Sequence, residues 1–498
     1  MTSPKRPFRV IVVGGGVGGL TAAHTLLRAN IDYVVLEKGV IAPQKGASIG
    51  IYPQGSRVLD QIGCLQSVEN ECYPLGKSIN ILPDGKIMAN SDFFAHCRNY
   101  HGYPIPVLER RRFLEILYER LPDKSKVRTK AGVVDIIDRV DGVKVVLEDG
   151  SVEEGDLVIG CDGVHSAVRS LMWRNANATI PGFITTAEKK CEWSCSSKTR
   201  FTLLTFIPSA LFCDWTALVG LSPTLPGMSN CDMTCTHYPA RSFLVIGQKV
   251  YTFWFVFFKN PQRLHWPSSP RWSDADAERR ALECADCPIS STQVFGELWK
   301  TRLRGELVNV EEGLFDHMYF GRVVLAGDAV HKMTPNVGLG GNSAMESIVL
   351  LSNQLKRAIE IHPGGHPDAK IVEQMLSEYQ SLTKERMRKI IDFSNLASRI
   401  QAWDTPFHKL LSRVVPYLPD TTFAKQAAQL IKASRKLEFV KLPKRSVTGT
   451  MPWDDEVKLA MHERKAAKGE STISFIYTPI VGLCLALSFF FISSMLSA

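Results

Sequence analysis

Three short stretches hold the residues best able to do chemistry. Gly14-Gly15-Gly16-Val17-Gly18-Gly19 lies near the start of the chain. Such a run lets backbone N–H groups close on an anion with no side chain in the way. Glu37 ends the apolar run Tyr33-Val34-Val35-Leu36, where a carboxylate can accept hydrogen bonds from both hydroxyls of a ribose and repel a 2′-phosphate. Far downstream, Gly327-Asp328 leads into the glycine-rich Met333-Thr334-Pro335-Asn336-Val337-Gly338-Leu339-Gly340-Gly341-Asn342. There a second carboxylate can hold a hydroxyl, and backbone N–H groups can face developing negative charge.

Each stretch needs a strand and a helix to place it. Arg9 to Val13 reads as a buried parallel strand and Leu20 to Ala29 as a helix, so the first glycine run sits in a strand–turn–helix. In that G-x-G-x-x-G turn, Gly14 makes the tight bend, Gly16 permits close approach of a diphosphate, and Gly19 packs helix on strand. With Glu37 closing the next strand, the unit suits FAD or NAD better than NADP. Val152 to Ile159 is a further strand, entering Gly160-Cys161-Asp162-Gly163. Arg322 to Ala326 is another, delivering Asp328, and a helix is expected from about Ser343 to Leu355. Asp328 placed for a ribityl hydroxyl, beside a loop suited to the pyrimidine edge of a reduced flavin, selects FAD over a nicotinamide.

The chain has 498 residues, 45% hydrophobic and 22% charged, which excludes extensive disorder. A net charge of +9, from 59 basic and 50 acidic residues, is too thin for a nucleic-acid binder. Twelve cysteines are too few for a secreted disulfide scaffold, and no apolar leader precedes the first strand, so the body is expected to be cytosolic and reduced. The pairs Cys191/Cys195, Cys231/Cys235 and Cys284/Cys287 lack zinc-finger partners, and no metal is expected.

Phe475 to Ala498 contains no charged residue. A helix of that length spans about 36 Å, enough to cross a bilayer core of about 30 Å. Lys458, Arg464, Lys465 and Lys468 precede it and no cation follows, so the positive-inside rule leaves the body in the cytosol. The expected fold is α/β: a Rossmann-type FAD-binding domain with an inserted β-sheet substrate domain, a helical C-terminal region and one C-terminal transmembrane helix. Residues 1–180 and 301–355 would form the FAD-binding domain, 181–300 the substrate domain, 356–442 a helical cap, 443–474 a polar linker and 475–498 the membrane span. In the substrate domain, Phe243–Gly247 and Tyr251–Phe258 read as paired strands.

Two local readings stay open. Gly46-Ala47-Ser48-Ile49-Gly50 fits the serine-hydrolase elbow G-x-S-x-G, but its approach, Ala42-Pro43-Gln44-Lys45, is poor strand material and no ordered Asp and His partners follow. In Glu109-Arg110-Arg111-Arg112, helical spacing puts Arg110 on a stripe with Phe113 and Leu117, facing the cofactor side. Arg111 shares a similar stripe with Leu114, and Arg112 belongs to a solvated face.

The glycine run with Glu37, the Asp162-Gly163 element and the Gly327-Asp328 element stand in the order found in FAD-dependent monooxygenases related to para-hydroxybenzoate hydroxylase. With Ala42-Pro43-Gln44, Gly46 to Gly50, Gly327 to Asn336 and the apolar tail, most of the chain resembles the fungal paxilline-type prenyl epoxidases of indole-diterpene and meroterpenoid biosynthesis. The resemblance implies FAD contacts at Glu37, Gly50, Arg110, Asp328 and Gly341, the last standing where several relatives have Ala. It also implies NADPH (or NADH) as a transiently docked electron donor, molecular oxygen, and epoxidation of the terminal alkene of a prenylated substrate. A downstream terpene cyclase would consume the epoxide, and an endoplasmic-reticulum membrane would carry the anchor. The same reaction on an indole-diterpene precursor, or aromatic-ring hydroxylation, is the alternative. Trp215 falls where some relatives carry a proposed catalytic Tyr, which leaves the catalytic residue unassigned. Relatives are shorter between about Lys190 and Trp215, marking residues 191–214 as an insertion or a gene-model artefact.

Overall fold

The computed structural model describes residues 6–139, 141–185, 188, 211–265 and 269–468. Most of the suspected insertion, with Cys191 and Cys195, lies outside them, as does the apolar stretch 475–498. Among the described residues no helix is long and apolar enough to cross a membrane. The chain divides into two compact units, Met1–Trp453 and Asp454–Ala498. In the second, Asp454–Lys468, within the segment expected as a polar linker, forms a helix that opens on Asp454, Asp455 and Glu456.

In the first unit, a six-stranded sheet runs Tyr319–Phe320, Val323–Leu325, Leu157–Gly160, Arg9–Val13, Asp32–Leu36, Val127–Arg128. All its pairings are parallel except the Tyr319–Phe320 edge. The β-branched Val10 to Val13 pack between layers with at most 5% exposure, as a strand covered on both faces requires. Register is what matters for the site. Val13 lies beside both Leu36 and Gly160, and Gly160 beside Leu325. Four strands therefore end together, and the glycine turn, Glu37, Asp162 and Asp328 all emerge from one edge, the carboxyl edge where α/β sheets hold ligands.

The second large sheet has eight strands, ordered His331–Lys332, Arg304–Leu314, Phe212–Pro223, Tyr251–His265, Arg241–Gly247, Met233–Tyr238, Ser78–Ile81, Ile87–Ser91. It draws on four separated stretches of chain. The side chains alternate with the period of two that extended backbone imposes. Trp215, Val219, Leu221, Phe253 and Phe257 form one face with Phe94, Ala402 and Ala427. Leu218, Trp254, Val256 and Phe258 form the other, packed on Phe295, Leu298 and Trp299.

The helix after the second glycine loop spans Gly340–Ile361, starting three residues before Ser343. A 33-residue helix, Ala369–Gln401, then lies along the loop. The Ser398 hydroxyl donates to Thr334 Oγ1 at 2.7 Å, and that of Ser394 to the Thr334 carbonyl at 2.8 Å. Asn336 donates to Gln401 at 2.8 Å. The loop is thus stapled to a rigid element over its first turn.

Candidate FAD site

The glycines of the first turn divide by role. Gly14 has φ +105°, and a Cβ there would lie 2.5 Å from the Cys161 carbonyl oxygen. A Cβ on Gly19 would fall onto the Gly14 carbonyl. Both are demanded by packing. At Gly16 a Cβ would meet nothing within 4 Å. The open side of Gly16 faces a helix start, Val17–Ala29, that has no side-chain cap. Its first N–H groups are available to an anion.

Glu37 does more than await a ribose. Its Oε2 accepts from the Gly15 N–H at 2.6 Å and its Oε1 from the Gly39 N–H at 2.8 Å. The carboxylate therefore braces the turn, and each oxygen keeps a further acceptor position. Asp162 is occupied locally as well. It accepts from Ser166 Oγ at 2.5 Å and from the Val168 N–H at 3.1 Å, at the start of the Ala167–Thr179 helix. Arg169, one turn on, is fully buried and donates to the Ala329 carbonyl at 2.8 Å and the Val164 carbonyl at 2.9 Å, tying this element to the Asp328 turn. Burial pushes its guanidinium down to about 10, against the pull of Asp162.

Asp328 keeps 35% of its side chain exposed and pairs with Lys332. Burial works to raise its pKa, but Lys332, His331 and Arg110 together hold it below the usual carboxylate value. Arg110 opens the Arg110–Glu119 helix, and its Cδ is 3.6 Å from where a Cβ on Gly46 would stand. Burial lowers its pKa, partly offset by Asp328. Arg111 instead pairs with Glu115, and Arg112 with Glu71 and Glu119. Of the three arginines, Arg110 is the one that faces the Asp328 region.

Gly50 and the loop at Gly341 meet through Asn342, the last residue of the glycine-rich stretch, to which the motif assigns no role. Asn342 is fully buried, donates to the Gly50 and Gly338 carbonyls at 2.9 Å each, and accepts from the Tyr52 N–H at 2.9 Å. A Cβ on Gly341 would press on the end of the Ile49 side chain at 2.7 Å, whereas one on Gly50 would make ordinary contact with Val107. The signal available in the sequence is an amide inside the first turn of a helix, directly after two glycines. Lys332 and Thr334 stand inside the Gly327 to Asn336 stretch, but the ion pair of one and the staple of the other show only in the structure.

Ser48 does not form a nucleophile elbow. It opens a short strand, Ser48–Gly50, paired antiparallel with Val107–Glu109, and no helix begins until Pro53. Trp215 is buried on the face of the large sheet that carries Phe253 and Phe257, its indole N–H without a partner among the described residues. An apolar cavity lined by Tyr52, Phe93, Leu339, Ile390 and Phe393 lies beside the glycine loop.

These features fit FAD. Gly16 and the uncapped start of Val17–Ala29 offer an open cradle for a diphosphate, and Glu37 has spare acceptors for a ribose. Ionised Asp328 suits a ribityl hydroxyl. The Gly340–Ile361 helix, also without a side-chain cap, offers the positive end of its dipole, which would suit the negative charge of a reduced flavin.

Comparison with known proteins agrees. The FAD binding domain family matches residues 8–188 and 253–394. The FAD-dependent monooxygenase DEP2 of Fusarium langsethiae is 38% identical over 97% of this chain and 93% of its own. The FAD-dependent monooxygenase spyC of Aspergillus fumigatus is 36% identical over 97% and 96%. Among solved structures, Klebsiella pneumoniae HpxO complexed with FAD and uric acid superposes with a TM-score of 0.63 at 19% identity, covering 85% of this chain and 96% of that one. The p-nitrophenol 4-monooxygenase PnpA of Pseudomonas putida gives 0.64 at 17% identity over 85% and 97%. These two share the fold. With its glycine turn, Glu37 and Asp328 gathered at one sheet edge, the chain belongs to the FAD binding domain family and is an FAD-dependent monooxygenase.

Proposed function

We propose that this monooxygenase epoxidises the terminal alkene of a prenyl chain on a meroterpenoid intermediate, using NADPH and molecular oxygen. The observation that carries the reading is the largely apolar cavity lined by Tyr52, Phe93, Leu339, Ile390 and Phe393, of which Tyr52 and Phe93 pack on the sheet face of Trp215, Val219, Phe253 and Phe257. An alkene offers nothing for polar groups to grip, and such a wall holds it by burial while keeping water from the reaction.

Bound FAD supplies the redox and oxygen-transfer chemistry. The protein's own residues bind and orient. Asp328 stays ionised through Lys332 and Arg110, the two helix starts accept negative charge, and Asn342 fixes the loop against Gly50. Trp215 has no exchangeable acid proton in the working pH range, so proton transfer falls to groups other than the side chain at that position. The apolar stretch 475–498 would anchor the enzyme in the endoplasmic-reticulum membrane with its body in the cytosol, close to a substrate that partitions into lipid. A cyclase would then open the epoxide.

Membranes bearing the protein, given NADPH and a prenylated aromatic precursor, are expected to yield a product heavier by one oxygen atom that base opens to a diol. A product hydroxylated on the ring, with no epoxide, would replace this reading with aromatic hydroxylation.

A further inference from the structure

After the long Ala369–Gln401 helix the chain turns and forms a short one, Pro406–Val414, capped by the Thr405 hydroxyl, which accepts from the His408 N–H at 3.3 Å. Ser412 is its single fully buried residue. Leu410 and Val414, four apart on one stripe, are 50% and 39% exposed, and in the turn that follows Tyr417 and Leu418 are 88% and 44% exposed. The helix packs on Ala369–Gln401, itself exposing Phe393 and Leu396. Lone exposed apolar residues need no explanation, but a well-capped amphipathic helix with its apolar stripe outward does.

The charges say what covers it. Lys409 and Arg413 each precede a stripe residue, and their charged ends lie 4.9 Å and 5.6 Å from the centre of the Trp403 ring, so both lie along one edge of the stripe. No acidic residue occurs from Thr405 to Pro419. An apolar stripe edged with cations is the pattern of a helix lying in the plane of a membrane interface with anionic lipid. A second copy of the chain docked here by twofold symmetry would bring a second Lys409 and Arg413 against the first pair. We infer that the segment from Pro406 to Leu418 is the surface by which the body rests on a phospholipid bilayer carrying anionic head groups. The inference depends neither on the substrate nor on the stretch 475–498.

Hydrogen–deuterium exchange on the full FAD-loaded chain tests it, with vesicles of phosphatidylcholine alone or mixed with phosphatidylserine, and without vesicles. Peptides covering 406–418 are expected to exchange several-fold more slowly on mixed vesicles than without lipid, and high salt is expected to weaken the effect. They are read separately from peptides of the C-terminal tail, so tethering by the tail does not mimic the result. Lys409→Gln with Arg413→Gln, two surface changes that leave the core intact, should remove the preference for phosphatidylserine. Leu410→Glu with Val414→Glu should abolish the protection, with flavin content reporting an intact fold. Exchange unaltered by either vesicle would overturn the inference. Protection that arises without lipid and grows with protein concentration would overturn it too, assigning the surface to a second copy. Failure to epoxidise any prenylated compound would leave it standing.

Discussion

Lys332 pairs with Asp328, the carboxylate four residues before it, and in doing so reverses what burial alone would do to that acid. The pair sits where the eight-stranded sheet begins and the Gly327–Ala329 turn ends. An Asp with a depressed pKa keeps its charge until the pH falls through that lowered value, and flavin retention should follow. Without Lys332, burial is opposed only by His331 and Arg110, and the pKa should rise. Lys332→Met is therefore expected to move the acid limb of FAD affinity to higher pH, with little loss at pH 8. Fluorescence-quenching titrations across the acid range measure it; an unshifted limb would remove the pair from the binding mechanism. Asp328→Ala should lose most of its flavin at every pH.

The glycines of the first turn should separate stability from binding. Gly19→Ala drives a methyl group onto the Gly14 carbonyl and is expected to cost more than about 3 kcal/mol, or to prevent folding. Gly16→Ala meets open space at a φ of −83° that alanine tolerates, so the unfolding free energy of the flavin-free protein should hold to within about 0.5 kcal/mol. Its methyl group would fill the open side of the turn where a diphosphate would approach, and FAD affinity should fall at least tenfold. A Gly16→Ala protein that binds FAD normally would place the diphosphate elsewhere.

Asn342→Ala removes three hydrogen bonds at once, leaving the Gly50 and Gly338 carbonyls and the Tyr52 N–H without their partner. A buried polar group left unpaired costs about 1–3 kcal/mol, and neighbouring losses do not add fully. A drop of about 3 kcal/mol in urea unfolding is expected, together with faster flavin release, because one side chain holds both the loop and the Gly50 strand. Unchanged stability would mean that water replaces the amide at no cost.

The part of the fold that sequence revealed is the part set by near neighbours. Strand, glycine turn, helix and terminal acid follow one another within the first forty positions. Arg9–Val13 and Asp32–Leu36 form as expected and pair directly. The large sheet is another matter. Phe243–Gly247 and Tyr251–Phe258 read as a hairpin, and the strands Arg241–Gly247 and Tyr251–His265 contain them, but Ser78–Ile81 and Ile87–Ser91 are short and mostly half-exposed, and the pairing of Ser78–Ile81 with Met233–Tyr238 is what makes them part of the sheet. The same holds at the site. Arg110 could be set above Arg111 by stripe and resemblance, and Glu115 stands four residues after Arg111, yet Glu71, the distant acid that pairs with Arg112, shows only in three dimensions. The Gly340–Ile361 helix starts earlier than its propensities indicate, since glycines disfavour helix, and Asn342 bonding to Gly50 and Gly338 holds that first turn in place.

Glu312 provides a pH test away from the flavin. It is fully buried, neither carboxylate oxygen has a hydrogen-bond partner among the described residues, and burial pushes its pKa up to about 7. Arg399 and Arg263 moderate the rise, while Asp214 adds to it. A carboxyl group raised on folding carries no penalty below its unfolded value near 4.5; the penalty grows as the pH climbs to about 7 and is complete above that. Glu312→Gln should therefore be more stable than the parent at pH 8, by up to about 3 kcal/mol, and equal to it near pH 4. Denaturant midpoints at the two pH values decide it, and a variant less stable at pH 8 would show that the ionised group has a partner.

The Arg304–Leu314 strand pairs along most of its length with Phe212–Pro223, but its last two residues pair with His331 and Lys332. For anyone exchanging the roof of this enzyme with that of a relative, the graft has no clean seam there. A chimaera cut between Leu314 and His331 would part a backbone ladder whose far rail is joined through Val330 and Ala329 to Asp328. Crossover points belong outside 304–332, and shuffled libraries that respect this boundary should return more yellow clones than those that do not.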